Sequence, residues 1–154
     1  MTTADRVILF LDACAVVYLI EAEAGFHAHV LGQLRELRGR CPGARLAVSR
    51  LSVLECLVKP MREGATDLIA EYRAFFGASD LSVVELDAQI VDLALTLRAR
   101  HGLRTRDALQ AASALALPSD GRRFITHDKG FERVSALNAV ILGDTTPAGI
   151  EPGS

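Results

Sequence analysis

Five consecutive apolar residues, Val7–Leu11, run directly into a single carboxylate, Asp12. An uninterrupted apolar run this short is the mark of a strand buried on both faces, the situation of a parallel sheet with helices on either side. In open sheets of that kind ligands bind beyond the carboxyl ends of the strands. The rest of the chain agrees with the sheet reading. Further strands are expected at residues 45–49, 81–86, 123–126 and 139–142. Helices are expected at 13–24 and 26–40. A third contains Leu51, Leu54, Glu55 and Val58, is capped by Ser49 or Ser52, and is ended by Lys59-Pro60. A fourth covers 64–77. Asp87 caps a fifth that runs to His101 and stops at Gly102, with Ile90, Val91, Leu93, Ala94 and Leu97 as its buried stripe. Thr105 caps a sixth over 106–117, where Ala108, Ala111, Ala112 and Ala114 imply close packing. Pro118 to Gly121 reads as a turn, and a short helical turn surrounds Phe131. Alternating strands and helices argue an α/β three-layer sandwich: a central, mostly parallel sheet of about five strands with helices on both faces.

Bulk properties narrow the possibilities further. Half of the 154 residues are hydrophobic and no repeat or linker divides them, so one domain over residues 1–144 is expected. Residues 145–154, rich in Pro and Gly, read as a frayed tail. A net charge of -2 gives no global attraction to nucleic acid or membrane, so any such binding must come from a local patch. Three cysteines without CxxC spacing point to neither a disulfide framework nor a zinc site. The apolar stretch over 7–20 is broken by Asp12 and is too short to cross a bilayer. A cytoplasmic location without membrane contact is the expectation.

Four acids stand where their surroundings suggest a pocket. Asp12 ends the first strand, Glu55 lies beside Leu51, Leu54 and Val58, and Asp107 is in the first turn of a helix. Asp128 follows the fourth strand by two residues. Each has a structural explanation: a helix cap, a rim charge, an acid at a helix N-terminus, a turn residue before Gly130. Were all four to converge, like charges about 4 Å apart would cost on the order of 4 kcal/mol per pair at an effective dielectric of 20, which a cation would offset. Oxygen-only ligands select Mg²⁺ or Mn²⁺ over zinc. Arg50, Lys59, Arg62, Arg104, Arg106 and Lys129 flank these acids and offer a local route for phosphates.

The segments LFLDACAVVYLIE, SRLSVLECLVKP, LRTRDALQAASAL and RFITHDKGF resemble the four acidic motifs of the PIN-domain ribonucleases, and above all those of the VapC toxins of toxin–antitoxin pairs. The resemblance covers residues 7–142. Its most specific parts are the D-A-L-x-x-A-x-A-L helix and the T-x-D-x-x-F segment, here Thr126, Asp128 and Phe131. It implies a PIN-like fold and a Mg²⁺- or Mn²⁺-dependent endoribonuclease toxin of a type II pair, cleaving structured RNA at a single-stranded site through a metal-activated water. Asp12, Glu55, Asp107 and Asp128 would hold the metal, and Thr126 would support the water network beside it. It further implies a cognate VapB-like antitoxin as partner, and homodimers, which are usual in the family. Two positions depart from the pattern: Cys14 stands where Ser, Thr or Asn is usual, and His127 where Asn is common. Among rivals, a dehalogenase-type phosphotransferase needs an Asp at position 14, and a receiver-like domain needs an acidic pair near the first strand. The remaining alternative is a catalytically inactive PIN module that binds RNA or a partner protein, against which the retention of all four acids speaks.

Overall fold

The structure, a computed structural model, describes residues 7–21, 26–118 and 121–143. The tail expected at 145–154, residues 22–24 and part of the turn at 118–121 lie outside the described residues; the first helix, expected to reach 24, ends at Ile20 with Glu21 as its C-cap. Five strands, β1 (Val7–Leu11), β2 (Arg45–Ser49), β3 (Leu81–Val84), β4 (Gly121–Thr126) and β5 (Ala139–Ile141), form one sheet in the order β3-β2-β1-β4-β5. Every pairing in it is parallel. The five strands expected from the sequence are all present, with β3 stopping at Val84 instead of reaching 86 and β4 starting two residues earlier, at Gly121. β1 occupies the centre, hydrogen-bonded on both sides, and its five residues are all apolar.

Successive side chains of a strand point to opposite faces, and β1 divides its apolar residues between two cores. Ile8 and Phe10 join α5 (Ala88–His101) and α6 (Thr105–Ala116) on one face, together with Phe124 and Phe131. Phe10 stacks on Phe124 at 5.4 Å between ring centroids, and Phe124 meets Phe131 at 4.5 Å. Leu9 and Leu11 join α1 (Ala13–Ile20), α2 (Phe26–Arg40), α3 (Arg50–Glu63) and α4 (Thr66–Phe76) on the other. The result is the three-layer α/β sandwich expected from the sequence. Among the described residues no helix is long and apolar enough to cross a membrane.

The helix ends show where local signals compete. Ser49 caps α3, its Oγ accepting from the Leu51 amide at 3.1 Å, and Asp87 caps α5 through the Ile90 amide at 3.0 Å. Pro60 does not end α3, contrary to the expectation: the helix continues to Glu63 and closes at Gly64, whose φ is +66°. Proline removes only one backbone bond, and here it lies in the last turns with its ring buried. Thr105 is not a cap either. It is the first residue of α6, the cap position belongs to Arg104, and the Thr105 hydroxyl accepts from the Arg98 guanidinium. The buried face of α3 carries Ser52, Cys56, Leu57 and Pro60, so Leu54, Val58 and Met61 are exposed. Val91 on α5 is exposed as well, and with it Leu95, because Ile90, Ala94 and Leu97 already fill the seam against the sheet.

Candidate active site

The strand order reverses between β1 and β4, and their carboxyl ends flank the crevice that this reversal opens. Asp12 stands at the end of β1. Its amide continues the ladder, donating to the Ile125 carbonyl at 2.9 Å. Its Oδ1 accepts from the Ala13 amide at 2.8 Å, capping α1, and its Oδ2 accepts from the Thr126 hydroxyl at 2.8 Å. The cap and the pocket wall are therefore the same carboxylate. Thr126, fully buried at the end of β4, also accepts from the Asp128 amide at 3.1 Å, and Asp128 Oδ1 in turn accepts from the Gly130 amide at 2.8 Å. A single hydroxyl thus bridges the first acid to the backbone of the last.

Glu55 and Asp107 reach the same crevice from α3 and α6. Glu55 Oε1 accepts from Gln110 Nε2 at 3.1 Å, and its Oε2 faces Arg106 Nε at 3.4 Å. Asp107 Oδ2 faces Arg104 Nε at 3.4 Å and its Oδ1 faces Arg106 Nε at 3.8 Å. Both arginines are otherwise largely in solvent. Burial pushes the carboxyl of Asp12 above its ordinary value, the hydrogen bonds from Thr126 and Ala13 oppose that, and the charge of Asp107 adds to it. Glu55 is likewise pushed up, chiefly by burial and further by Asp12 and Asp107, against the pull of Gln110 and Arg106. Three of the four acids therefore lie within electrostatic reach of one another. Asp128 is linked to Asp12 through the Thr126 hydroxyl. It shares with Asp107, Arg104 and Arg133 a cleft of about 370 Å³.

The donor set fits a hard divalent cation in kind and in charge: carboxylate oxygens, opposing one another and only partly compensated by exposed arginines. As they stand the side chains are turned to protein partners, and among the described residues no three of His, Cys, Asp and Glu are arranged as a ligand shell. Cys14 fills its place as a thiol, 3.6 Å from Asp12 Oδ2 and 3.7 Å from Thr126 Oγ. Burial and the Asp12 charge push it up to about 12, so it is protonated. His127 is exposed and meets Tyr18 edge to face at 6.0 Å. Of the flanking cations, Arg50 is held by Glu85 at 3.0 and 3.1 Å and is thereby committed away from the acids. The residue that sequence reasoning missed is Gln110. Its signal was present: Asp107, Gln110 and Ser113 repeat every three residues within the alanine stripe of α6, all of them buried.

An acidic crevice at the switch point of an all-parallel, three-layer sheet defines the class. The PIN domain profile matches residues 9–137, and the chain belongs to the PIN-domain family. No curated protein matches it in sequence. Among solved structures it is similar to a chain of VapBC2 from Rickettsia felis bound to a DNA fragment from their promoter, with a TM-score of 0.66 and 18% identity over 88% of this chain and 98% of that one. It is also similar to a chain of a toxin–antitoxin complex from Klebsiella pneumoniae, with a TM-score of 0.57 and 19% identity over 86% and 95% of the two chains. These likenesses are of fold. The PIN-like architecture implied by the four sequence motifs is therefore correct.

Proposed function

We propose that this chain is a Mg²⁺- or Mn²⁺-dependent endoribonuclease of the toxin–antitoxin type. One observation carries the reading: Asp12, Glu55 and Asp107, brought from β1, α3 and α6, stand close enough that the charge of Asp107 opposes ionisation of both the others. These three would hold the cation, with Asp128 contributing from the side of the cleft. A bound divalent ion supplies an activated water and charge stabilisation at a phosphodiester.

The remaining work falls to the chain's own residues. Thr126 and the Ala13 amide each fix one oxygen of Asp12, which holds the carboxylate in one orientation. Gly130 does the same for Asp128 through Oδ1. Arg104 and Arg106 stand at the rim with their guanidinium groups beside the acids, and exchange of those contacts for backbone phosphates would draw RNA to a near-neutral protein. The cleft of about 370 Å³ between Asp107 and Asp128 is where an unstacked strand from a loop in a structured RNA would enter. Similarity of fold to VapBC2 and to a second toxin–antitoxin complex supports a VapB-like antitoxin as partner. The exposed Leu54, Val58 and Met61 of α3 support a role for that helix in protein contact.

Purified protein is expected to cleave RNA with Mg²⁺ or Mn²⁺ and to stop on addition of EDTA. Asp12→Asn and Asp107→Asn are each expected to reduce cleavage by at least 100-fold, roughly the loss of one preorganised electrostatic group, with the circular dichroism of the fold retained. Wild-type activity in either variant would overturn the assignment. An inactive RNA-binding module would bind RNA and show no metal-dependent cleavage.

A further inference from the structure

Gln110 is 1% exposed, on α6, one helical turn beyond Asp107. Its Nε2 donates to Ser52 Oγ at 3.0 Å and to Glu55 Oε1 at 3.1 Å, both on α3. Its Oε1 is buried and has no partner. That orphaned oxygen decides the meaning of the site. A buried carbonyl oxygen without a donor is unfavourable. A turned-over amide could give it the Ser52 hydroxyl as donor, but would then point its oxygen at a carboxylate that only accepts. The amide therefore keeps its nitrogen toward Glu55 and leaves the oxygen unmatched. An apolar residue of the same length would fill the space without that penalty, so packing alone does not account for Gln110.

We infer that Gln110 is a positioning residue that commits Glu55 Oε1 to the protein and leaves Oε2 as the single oxygen Glu55 can offer to a cation. Glu55 would then bind through one oxygen, and Arg106, 3.4 Å from Oε2 and more than half exposed, is the group the ion replaces. Asp12 differs: both of its oxygens accept from the protein, one from Ala13 and the other from Thr126, whereas Glu55, on a longer side chain, has one oxygen held by a buried donor and the other facing only the exposed Arg106. This inference rests on the metal-dependent reading above.

The test is the affinity of the full chain for Mn²⁺, measured by titration calorimetry without RNA, so that no turnover is involved. Gln110→Met keeps the length and loses the donor. It is expected to weaken Mn²⁺ binding about 10–100-fold, the usual effect of losing a group that orients a metal ligand. Ser113→Ala removes a buried hydrogen bond of the same helix to Ser49, at 3.0 Å, without touching Glu55. It is expected to lower thermal stability and leave Mn²⁺ affinity at the wild-type value. In a Glu55→Ala background, Gln110→Met is expected to cause no further loss. Wild-type affinity in Gln110→Met, or an equal loss in the Glu55→Ala background, overturns the inference while the nuclease reading stands. Should Gln110→Met fail to fold, Ser52→Ala, which removes the second acceptor that anchors Gln110 Nε2 beside Glu55, is expected to weaken binding a few-fold, and no change there overturns the inference. A wild-type chain that takes up no Mn²⁺ overturns both.

Discussion

Thr126 carries more of the site than its size suggests, and Thr126→Val isolates what its hydroxyl does. Valine has the shape of threonine and fits a fully buried strand end, so the perturbation is chemical. Two bonds disappear: one donated to the Asp12 carboxylate at 2.8 Å, the other accepted from the Asp128 amide at 3.1 Å. A bond to a charged group contributes about 1.5–3 kcal/mol and a neutral one about 1 kcal/mol. Replacing a buried hydroxyl with a methyl returns about 1 kcal/mol of the desolvation cost. The net expectation is a loss of about 1.5–3 kcal/mol, which for a domain of this length lowers Tm by about 3–12 °C. Thr126→Ser keeps both bonds and loses a methyl, so it should cost about 1 kcal/mol. The pH dependence gives an independent check. The Thr126 bond favours ionised Asp12, whose folded-state carboxyl is already raised by burial. Valine raises it further, so the folded variant holds a proton to higher pH than wild type. The stability gap should therefore be small below about pH 4, where Asp12 is protonated even when unfolded, and should widen as pH rises through the raised range. Thermal unfolding followed at 222 nm between pH 4 and pH 8 measures all three proteins. A valine variant as stable as the serine variant, or a gap that narrows with rising pH, refutes the reasoning.

Other consequences follow from the same geometry. Asp12→Asn removes a carboxyl whose ionisation the fold resists, so its stability relative to wild type should rise as pH increases from about 4 to 7, read as the shift in urea midpoint. Gly64→Ala and Gly102→Ala each force a Cβ into the left-handed region, φ +66° at both, with no neighbour within 4 Å of it. Each should cost about 1–2 kcal/mol by backbone strain alone, seen as a drop in Tm of about 2–8 °C. Cys14 and Cys56, both pushed up to about 12 chiefly by burial, should alkylate slowly with iodoacetamide in the native state. Their rates should rise about tenfold per pH unit between pH 7 and 9, because the thiolate is the nucleophile, and a rate flat over that range would contradict the burial argument.

What the sequence disclosed, and what it withheld, follows from the range of each interaction. Strands were legible because a buried strand must be apolar over its whole length, and Val7–Leu11 satisfies that condition without help from the rest of the chain. Asp87 and Gly102 were legible for the same local reason, a cap and a left-handed stop. Pro60 misled because the cost of a proline depends on what its ring packs against, and that partner lies elsewhere in the chain. Thr105 misled because its hydroxyl had a competing partner, Arg98, one helix away. Val91 looked buried because an apolar stripe shows its period but not whether anything covers it. At the site, Asp12 could be placed at the end of a central strand, but its link to Thr126 depends on the sheet order, which brings β4 beside β1. Gln110 was overlooked because a glutamine among alanines resembles an ordinary surface residue until the neighbouring helix is set against it.

Asp12 extends the ladder of the middle strand by one more amide, donated to Ile125. In hydrogen exchange, the protons around it should be among the last to be lost, released only when the sheet itself comes apart. A carboxylate mounted on so unyielding a support cannot be switched by reshaping its backbone. Control over this crevice must come from what enters it: arginine heads swinging aside, ions arriving, a foreign chain laid across the opening.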